Sequence, residues 1–527
     1  MASILTFVAV VLVALGAARP GEKNPVLMLA GLVLGAISLP MHFVAQSTPI
    51  MSLAAMALST GLGFLLGASI LAARKQPSQP FLVLAVLCLF TAFALRTPAY
   101  LSNRFATESV DEVHASILVE LGPDDSIDEI ADVLSEFDAT AERAFPSVSL
   151  ADDEDLSQTY LVTGIKRDLL RRLLDLLRRQ LDDVDFAEVN EEVGLLPPAL
   201  TYDRLTPITG TFAANDPMIE RQWAVSAVGL DAAHRLLDDA TPARKAIVAI
   251  LDTGVDAAHE DITGIYLSDS PGNRDAHGHG THCAGIAGAA TNNGKGIASL
   301  NWEGRFVDIA SYQALGDTGF GSLESIAQAI IDATTDGADV ISMSLGEFTP
   351  LPPRVVIKAV EFALQRDVIV VAAAGNSNQD ATLHMPSNIP GVIAVAAVDE
   401  QGRKASFSNI NTRLSRPIAA PGVNILSLEP GGRYGLKSGT SMATPLVAGL
   451  IGVMRSLNPE VTAEEAYEIL RDTGTDGPDV SSTGRTIQAD EALLRVAIRP
   501  IPLDDEMVAK VGTASSAAAD ASSNASR

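Results

Sequence analysis

Three histidines and one cysteine lie within the short stretch DAHGHGTHCAG, residues 275–285: His277, His279, His282 and Cys283. Their nitrogen and sulfur atoms are ligands that zinc accepts. Zinc-binding helices usually set their ligands three or four residues apart, whereas a single glycine separates His277 from His279. The composition therefore permits a metal site, but the stretch fits equally a loop in which one imidazole acts as a catalytic base. Taken alone, it leaves both chemistries open.

Two other segments carry reactive side chains where predicted strands and turns end. In AILDTGVD, Asp252 falls at the carboxyl end of an apolar strand, the edge at which open α/β sheets carry their sites. In KSGTSMATPLVAG, Ser441 falls in a turn of small residues just before an apolar helix. An aspartate, a histidine and a serine in this chain order match one known arrangement of the catalytic triad. Acyl transfer through a serine nucleophile is the second chemistry that the residues indicate.

The elements that must position these side chains are those of an α/β domain over residues 212–497. Apolar runs rich in Val, Ile and Ala alternate there with amphipathic helices. The runs are KAIVAILDT, RFVDIASYQAL, ADVISMSLG, DVIVVAAAGN and GVIAVAAVD. Such near-continuous runs indicate strands buried on both faces, and hence a parallel sheet flanked by helices.

A smaller α+β domain is predicted over residues 113–195. HASILVEL, RAFPSV, TYLVTGI and VDFAEVNEEVGL are its predicted strands, and their alternation with two helices gives the ferredoxin-like order β-α-β-β-α-β. Its first helix begins with the capping box of Ser126 and Glu129. Residues 196–211, with LPP and TPITG, predict a linker. Residues 498–527 predict a disordered tail, which ends in TASSAAADASSNASR.

The first 96 residues form an apolar region of a different kind. Its apolar runs cover about residues 2–18, 26–45, 50–73 and 80–95. Each run approaches the ~20 residues that a helix needs to cross a bilayer, so four transmembrane helices are expected, with a signal peptide as the alternative for the first. Basic residues fall in the first and third loops, so the positive-inside rule puts everything after Arg96 outside the cytoplasm. Residues 97–112 form a polar connector.

The charge and cysteine content narrow the possible partners. A net charge of −27 argues against a nucleic-acid partner, because binding to phosphates needs clustered Lys and Arg. Cys88 and Cys283 are the only two cysteines and lie in unrelated segments, which excludes a disulfide framework.

Four motifs, ILDTGVD, HGHGTHCAG, AAAGNS and SGTSMATP, resemble those of the subtilisin-like serine proteases, the subtilases. The resemblance spans about residues 212–497, and the cysteine in HGTHCAG is similar to that of the thermitase and proteinase K branches. One departure is Leu446, where the family usually has histidine.

The resemblance implies a role for each matching residue. Ser441 would be the nucleophile, His279 the base and Asp252 the group that orients the imidazole. Asn376 in AAAGN would donate to the oxyanion, together with the backbone N–H of Ser441. The other histidines and the cysteine of the opening stretch would then line the cleft or pack beneath the base, and a zinc site is disfavoured. No cofactor would be required for the chemistry.

Substrate binding in the family adds the peptide as a strand to two backbone edges. The matching edges are Gly319, Phe320 and Gly321 in TGFGS, and Ser344, Leu345 and Gly346 in MSLG. Phe320 and Leu345 suggest an apolar cleft, and His384 is expected near the base of the first pocket. An ordinary strand end is the alternative for both segments.

Calcium is a second expectation from the resemblance, because the family often holds this ion between an N-terminal segment and a loop after the histidine helix. Asp216, Asp261 and Asn293 occupy the matching places, and their oxygen atoms suit calcium. A turn residue, a helix cap and a loop asparagine are the alternatives for these three.

The domain over residues 113–195 resembles the inhibitory propeptide of the same proteases, with FAEVNEEVGLL as the end that enters the active site. Self-cleavage would then fall after Glu192 and before Thr211, and a permanently attached docking domain is the alternative. The leading hypothesis is a membrane-anchored, extracytoplasmic serine endopeptidase that acts on proteins or peptides. A catalytically silent, membrane-held peptide-binding protein is the alternative, and a transport or sensor protein is the third possibility, disfavoured because the apolar runs lack buried charges.

Overall fold

The computed structural model describes residues 114–180, 183–196 and 207–497. The predicted membrane region, the connector, most of the linker and the tail lie outside the described residues. Within the described part, a single helix, Thr440–Leu457, is long and apolar enough to cross a membrane, and it is packed almost entirely inside the fold.

The α+β domain is a four-stranded antiparallel sheet covered by helices. Its strands are β1 (His114–Leu121), β2 (Thr140–Arg143), β3 (Thr159–Lys166) and β4 (Val184–Val189), in the order β2-β3-β1-β4. Its helices are α1 (Ala131–Ser135), α2 (Glu154–Ser157) and α3 (Leu170–Gln180). The core between sheet and helices contains Ile117, Phe137, Leu173 and Leu177. A short strand, β5 (Glu192–Gly194), follows β4 and leaves the sheet.

The second strand of this domain differs from its prediction. RAFPSV was expected as a strand, but β2 ends at Arg143, where the prediction begins. Pro146 has no N–H for a sheet ladder, and the Arg143 guanidinium donates to the carbonyls of Val148 and Ser157. The segment therefore turns inward, and Phe145 is fully buried.

The larger domain has eleven strands and nine helices among the described residues. The strands are β6 (Ala246–Asp252), β7 (Val307–Gln313), β8 (Phe320–Ser322), β9 (Val340–Met343), β10 (Glu347–Phe348), β11 (Ile369–Ala373), β12 (His384–Met385), β13 (Ile393–Val398), β14 (Pro417–Pro421), β15 (Ile425–Glu429) and β16 (Arg433–Lys437). The helices are α4 (Trp223–Ala227), α5 (Leu230–Asp239), α6 (His279–Gly288), α7 (Leu323–Thr335), α8 (Arg354–Gln365), α9 (Thr440–Leu457), α10 (Ala463–Thr473), α11 (Val480–Thr483) and α12 (Ala489–Ala497).

Six of these strands form one parallel sheet, in the order β14-β13-β11-β9-β6-β7. The prediction of a parallel α/β sheet is confirmed, and its five predicted strands are β6, β7, β9, β11 and β13. The sixth, β14, was not predicted, because a strand that begins and ends with proline reads as a loop; its place at the sheet edge accommodates both prolines. Residues on α6 and α9 belong to the core on one face, and residues on α7 and α8 to the core on the other.

Helices α6 and α9 cross in close contact. A Cβ atom on Gly449 would lie 2.2 Å from the carbonyl oxygen of Ala287, so only glycine permits this approach. The crossing brings the first turns of both helices to the carboxyl edge of the sheet, where β6 ends.

Candidate active site

Asp252 is the last residue of β6 and is completely buried. The N–H of Thr253 donates to its Oδ1 at 2.7 Å. Since parallel strands end at the same edge, the carboxylate lies where the sheet opens toward the helices that follow.

His279 is the first residue of α6, and Asp275 holds the turn before it. The carboxylate of Asp275 accepts the backbone N–H groups of His277, Gly278 and Thr281, and the hydroxyl of Thr253. Sequence reasoning missed Asp275, although an aspartate just before a helix is a recognisable capping signal. Together with a fifth hydrogen bond, from the Thr281 hydroxyl at 2.7 Å, these donors hold the turn that leads into α6 and so fix the backbone from which the His279 imidazole extends.

The imidazole of His279 faces the carboxylate of Asp252. Its Nδ1 lies 2.8 Å from Oδ1 and 2.9 Å from Oδ2. Burial lowers the pKa of His279, but the charge of Asp252 outweighs it and holds this pKa well above the ordinary value. With Nδ1 occupied by the carboxylate, Nε2 is the atom that can exchange a proton with a neighbour.

Ser441 is the second residue of α9, and Ser344 lies against it. The hydroxyl of Ser441 donates to the Ser344 carbonyl at 3.2 Å, and the hydroxyl of Ser344 donates to the Ser441 carbonyl at 2.8 Å. The thiol of Cys283, one turn after His279, donates to the same Ser441 carbonyl at 3.5 Å and lies 3.9 Å from Nδ1 of His279. Ser441 and His279 therefore share a neighbour on α6.

The side-chain amide of Asn376 lies against the first turn of α9. Its Oδ1 accepts both the N–H and the hydroxyl of Thr440, at 2.9 and 2.8 Å. A Cβ atom on Gly439 would lie 3.1 Å from Nδ2 of Asn376 and 3.5 Å from the backbone nitrogen of Ser441. Two N–H donors thus converge on one small volume beside Ser441, which suits a negatively charged oxygen.

The zinc interpretation of the opening stretch does not fit the donors. Asp252, His279 and Cys283 have ligand atoms within 4.8 Å of one another. However, both oxygens of Asp252 face Nδ1 of His279, and burial raises the pKa of the Cys283 thiol, whereas a metal binds the thiolate. The other two histidines are not part of this group. His282 is buried, and its Nε2 lies 3.1 Å from the carbonyl oxygen of Gly435, whereas His277 is exposed.

A strand from the chain's own α+β domain lies in the predicted substrate cleft. Strand β5 pairs antiparallel with β8, so Val193 faces Gly321 and Gly194 faces Phe320. The N–H of Leu195 donates to the carbonyl of Gly319 at 2.9 Å. The first predicted edge therefore binds an extended backbone.

The second predicted edge binds the other side of the same strand. Leu195 pairs with Leu345 in an antiparallel bridge, and the N–H of Gly346 donates to the Gly194 carbonyl at 3.4 Å. Continuing this register by one residue sets Leu196 opposite Ser344, whose carbonyl accepts the Ser441 hydroxyl. Leu196, which is buried, is thus the residue nearest to Ser441 along this strand.

His384 lies under the two glycines that flank this region. A Cβ atom on Gly346 would be 2.7 Å from its Cε1, and one on Gly375 would be 2.8 Å from its Cδ2. Burial lowers the pKa of His384 to about 4, so the ring is neutral at physiological pH. Its Nδ1 has no hydrogen-bond partner among the described residues. The place of His384 at the base of the first pocket stays a prediction.

The α+β domain also contacts the start of α8. The carboxylate of Glu188 accepts the N–H groups of Arg354 and Val355, each at 3.0 Å, and the guanidinium of Arg354 binds Glu120 through Nε at 2.7 Å. Lys358 pairs with Asp155 at 2.5 Å. Sequence reasoning missed these residues, because nothing in the local pattern relates Glu188 to a helix 166 residues further along.

The three residues predicted for calcium lie together. Asp216 accepts the N–H groups of Asn292 and Asn293 at 2.8 and 3.4 Å, and the Asn293 amide nitrogen donates to Asp261 at 3.2 Å. Both carboxylates are 1% exposed. Burial, reinforced by the charge of Asp261, raises the pKa of Asp216 to about 6. A buried carboxylate whose ionisation is opposed by burial and by a second buried carboxylate nearby fits a site that a divalent cation would stabilise.

Fold and site together are those of a serine hydrolase that binds extended polypeptide, and the comparisons define the family. The subtilase family model matches residues 243–489. The thermophilic serine proteinase of Bacillus sp. (strain AK1) is 41% identical over 239 residues, which are 43% of this chain and 58% of that protein. Subtilisin Savinase of Lederbergia lenta is 36% identical over 257 residues, which are 48% of this chain and 91% of that protein. The chain belongs to the subtilase family, and its class of enzyme is serine-type endopeptidase.

A third relative and a solved structure extend the match. The alkaline protease of Shouchella clausii is 35% identical over 298 residues, 56% of this chain and 72% of that protein. The crystal structure of fervidolysin from Fervidobacterium pennivorans is similar in fold, with a TM-score of 0.60 and 24% identity, and the match covers 75% of this chain and 63% of fervidolysin.

Proposed function

We propose that this chain is a membrane-anchored, extracytoplasmic serine endopeptidase made as a self-inhibited precursor. The observation that carries this proposal is the strand Glu192–Leu196, which runs between two backbone edges and ends opposite Ser344, next to Ser441. A peptide substrate in the same register would bring one carbonyl group to the Ser441 hydroxyl.

Acylation would use four residues of the site. The Ser441 hydroxyl turns from Ser344 toward His279, gives its proton to Nε2, and forms a bond from Oγ to the substrate carbonyl carbon. The carbonyl oxygen gains negative charge and accepts the N–H of Ser441 and Nδ2 of Asn376. Asp252 stabilises the imidazolium throughout.

The remaining steps complete acylation and then return the enzyme to its resting state. The imidazolium donates its proton to the leaving nitrogen, and the C–N bond breaks to leave an ester on Ser441. Water then gives a proton to His279 and attacks the ester carbon, and the acid product leaves as Ser441 regains its proton.

Self-inhibition would come from the domain over residues 113–195. Its strand β5 fills the cleft while Glu188 and Glu120 bind the start of α8, so the same backbone edges are unavailable to other substrates. The α+β domain and α8 also share an apolar core that includes Leu118, Phe145 and Val356. Removal of this domain would open the cleft.

Anchoring rests on the sequence of the first 96 residues, whose four apolar runs each approach the ~20 residues that a helix needs to span a bilayer. By the positive-inside rule, the basic residues of the first and third loops support an orientation with the protease outside the cytoplasm. A tag after residue 500 should be reached from outside intact cells; access from the cytoplasm alone would overturn this orientation.

Calcium would bind at Asp216 and Asp261 as a structural ion, with Asn293 beside them. When bound, the ion would neutralise the two buried carboxylates, and it would take no part in the chemistry.

The enzyme function is tested with the full chain in membranes and a serine-directed fluorophosphonate probe. We expect labelling at Ser441 and hydrolysis of a general protein substrate once the α+β domain has been removed, and neither in Ser441→Ala. Absence of labelling in the wild-type chain after that removal would favour the alternative, a peptide-binding protein without activity.

A further inference from the structure

Strand β5 and the edge that binds it are complementary in side-chain size, position by position. Leu195 lies against Gly319: a Cβ atom on that glycine would be 3.0 Å from Cδ1 of Leu195 and 3.4 Å from Nε2 of His277. One position earlier the sizes are reversed, because Gly194 of the bound strand faces Phe320 of the edge.

The ring of Phe320 covers the place that a side chain at position 194 would take. A Cβ atom on Gly194 would lie 2.7 Å from Cε1 of Phe320, 2.9 Å from Cδ1 and 3.6 Å from Cζ. Carbon atoms in contact are normally about 3.5–4.0 Å apart, so even a methyl group there displaces the ring. Side chains of directly opposed residues in an antiparallel pair lie on the same face, and a substrate strand in this register cannot avoid the ring.

Contact with Gly194 removes apolar surface of the Phe320 ring from water. It is one of the few large apolar side chains that are exposed among the described residues, at 52%. The backbone of Gly194 lies against the ring, and displacement of the ring from it exposes more apolar surface to water. A larger substrate side chain therefore loses the ring contact and must bind beside a displaced phenylalanine.

We propose that Phe320 is a specificity-determining residue that selects glycine at the third residue before the scissile bond. This inference rests on the proposed function, because it counts from Leu196 as the residue whose carbonyl faces Ser441. The selection is graded, because the ring is half exposed and can swing away.

Peptides of the form X-Leu-Leu joined to an amide reporter, with glycine, alanine or leucine at X, test the inference. With the mature enzyme obtained from the full chain, we expect kcat/KM to be about tenfold higher for glycine than for leucine, equivalent to about 1.4 kcal/mol. In Phe320→Ala the ratio should fall to within about twofold, since an aromatic contact of this size is lost.

The matched control is Phe348→Ala. Phe348 is 53% exposed, as Phe320 is, but it lies on β10 and pairs with His384 rather than with the bound strand. This variant should keep the wild-type ratio. A wild-type ratio near one, or a ratio that survives in Phe320→Ala, would overturn the inference even if hydrolysis itself is normal.

A second measurement does not require activity. In full-length Ser441→Ala, we expect Gly194→Leu to speed hydrogen exchange across residues 192–196 about tenfold, and addition of Phe320→Ala to restore it to within about twofold. Gly264→Leu, at a glycine with open space around it, should change nothing there. Exchange that Gly194→Leu leaves unchanged, or that Phe320→Ala fails to restore, contradicts the role of Phe320. An absence of hydrolysis and of Ser441 labelling would instead contradict the proposed function.

Discussion

Both carboxylate oxygens of Asp252 lie within hydrogen-bonding distance of Nδ1 of His279, at 2.8 and 2.9 Å. This pairing sets the tautomer of the imidazole, because a proton on Nδ1 leaves Nε2 with a lone pair. It also raises the pKa of His279, since the imidazolium is stabilised by a buried negative charge.

Asp252→Asn should lower kcat by about 10⁴-fold, the order expected when the orienting carboxylate of a triad is lost. A neutral His279 is the active base, so activity rises with pH through the His279 pKa. Without the charge of Asp252, burial, which is the largest influence on that pKa, lowers it, and the acid limb of the kcat/KM profile should move to lower pH. Asp308→Asn, at a surface pair with Lys245, is the control. An unmoved acid limb in Asp252→Asn would contradict this account of the pair.

Glu188→Ala should loosen the α+β domain from α8, because the N–H groups of Arg354 and Val355 lose a charged acceptor. Hydrogen bonds to a charged group contribute about 1.5–3 kcal/mol, so fluorophosphonate labelling of Ser441 in the precursor should speed up by about 10- to 100-fold. Glu191→Ala, at an exposed glutamate on the same connection, should label at the wild-type rate. Equal rates in the two variants would mean that Glu188 does not hold the domain in place.

Calcium should stabilise the protein more at neutral than at acidic pH. The pKa of Asp216 is raised to about 6 in the folded chain, so without calcium its contribution to stability is fully present below its unfolded value and is lost as the pH rises through about 6. Calcium favours the ionised carboxylates and offsets that loss. Saturating calcium should therefore raise Tm by about 5 °C at pH 7.5 relative to a chelator, and by much less at pH 4.5.

Asp216→Asn should abolish this calcium response. The control is Asp125→Asn, because Asp125, Glu129 and Asp183 also form an acidic group of metal-binding dimensions but are more exposed. A calcium response that persists in Asp216→Asn, or that disappears in Asp125→Asn, would assign the ion to another site.

Processing should avoid the peptide bond that follows Leu196. The next residue is Pro197, whose nitrogen carries a ring carbon instead of a hydrogen, and that carbon crowds the nitrogen that His279 must protonate. Pro198 has the same ring nitrogen, so we expect the mature N-terminus to fall between residues 199 and 211. Pro197→Ala should open a new cut after Leu196, whereas Pro198→Ala should not. N-terminal sequencing decides: a wild-type chain that begins at Pro197 would contradict the block by proline, and a Pro197→Ala chain that is not cut after Leu196 would contradict the register.

The parallel sheet could be predicted because its strands are apolar on both faces. Such near-continuous apolar runs can be recognised in the local sequence without knowing which strands lie beside them. One strand was predicted over VDFAEVNEEVGL, whereas the structure divides it into β4 and β5, because β5 pairs with β8 far along the chain. The local pattern predicted no strand at the three-residue β8, and only the resemblance indicated its backbone as a substrate-binding edge. The edge strand β14 was not predicted for another reason, because its two prolines are permitted only by its position at the edge of the sheet.

By itself, the sequence determined the identity of the candidate triad and the family, because Asp252, His279 and Ser441 lie in motifs long enough to be specific. The resemblance selected His279 as the base, but only the tertiary structure gave the contacts of the three histidines: His279 meets Asp252, His282 is buried against Gly435, and His277 is exposed beside the cleft. The same holds for Gly194 and Phe320, whose contact joins two domains. The local sequence indicates the chemistry that each side chain can perform. The distances between side chains on strands and helices remote in sequence depend on how the whole chain packs.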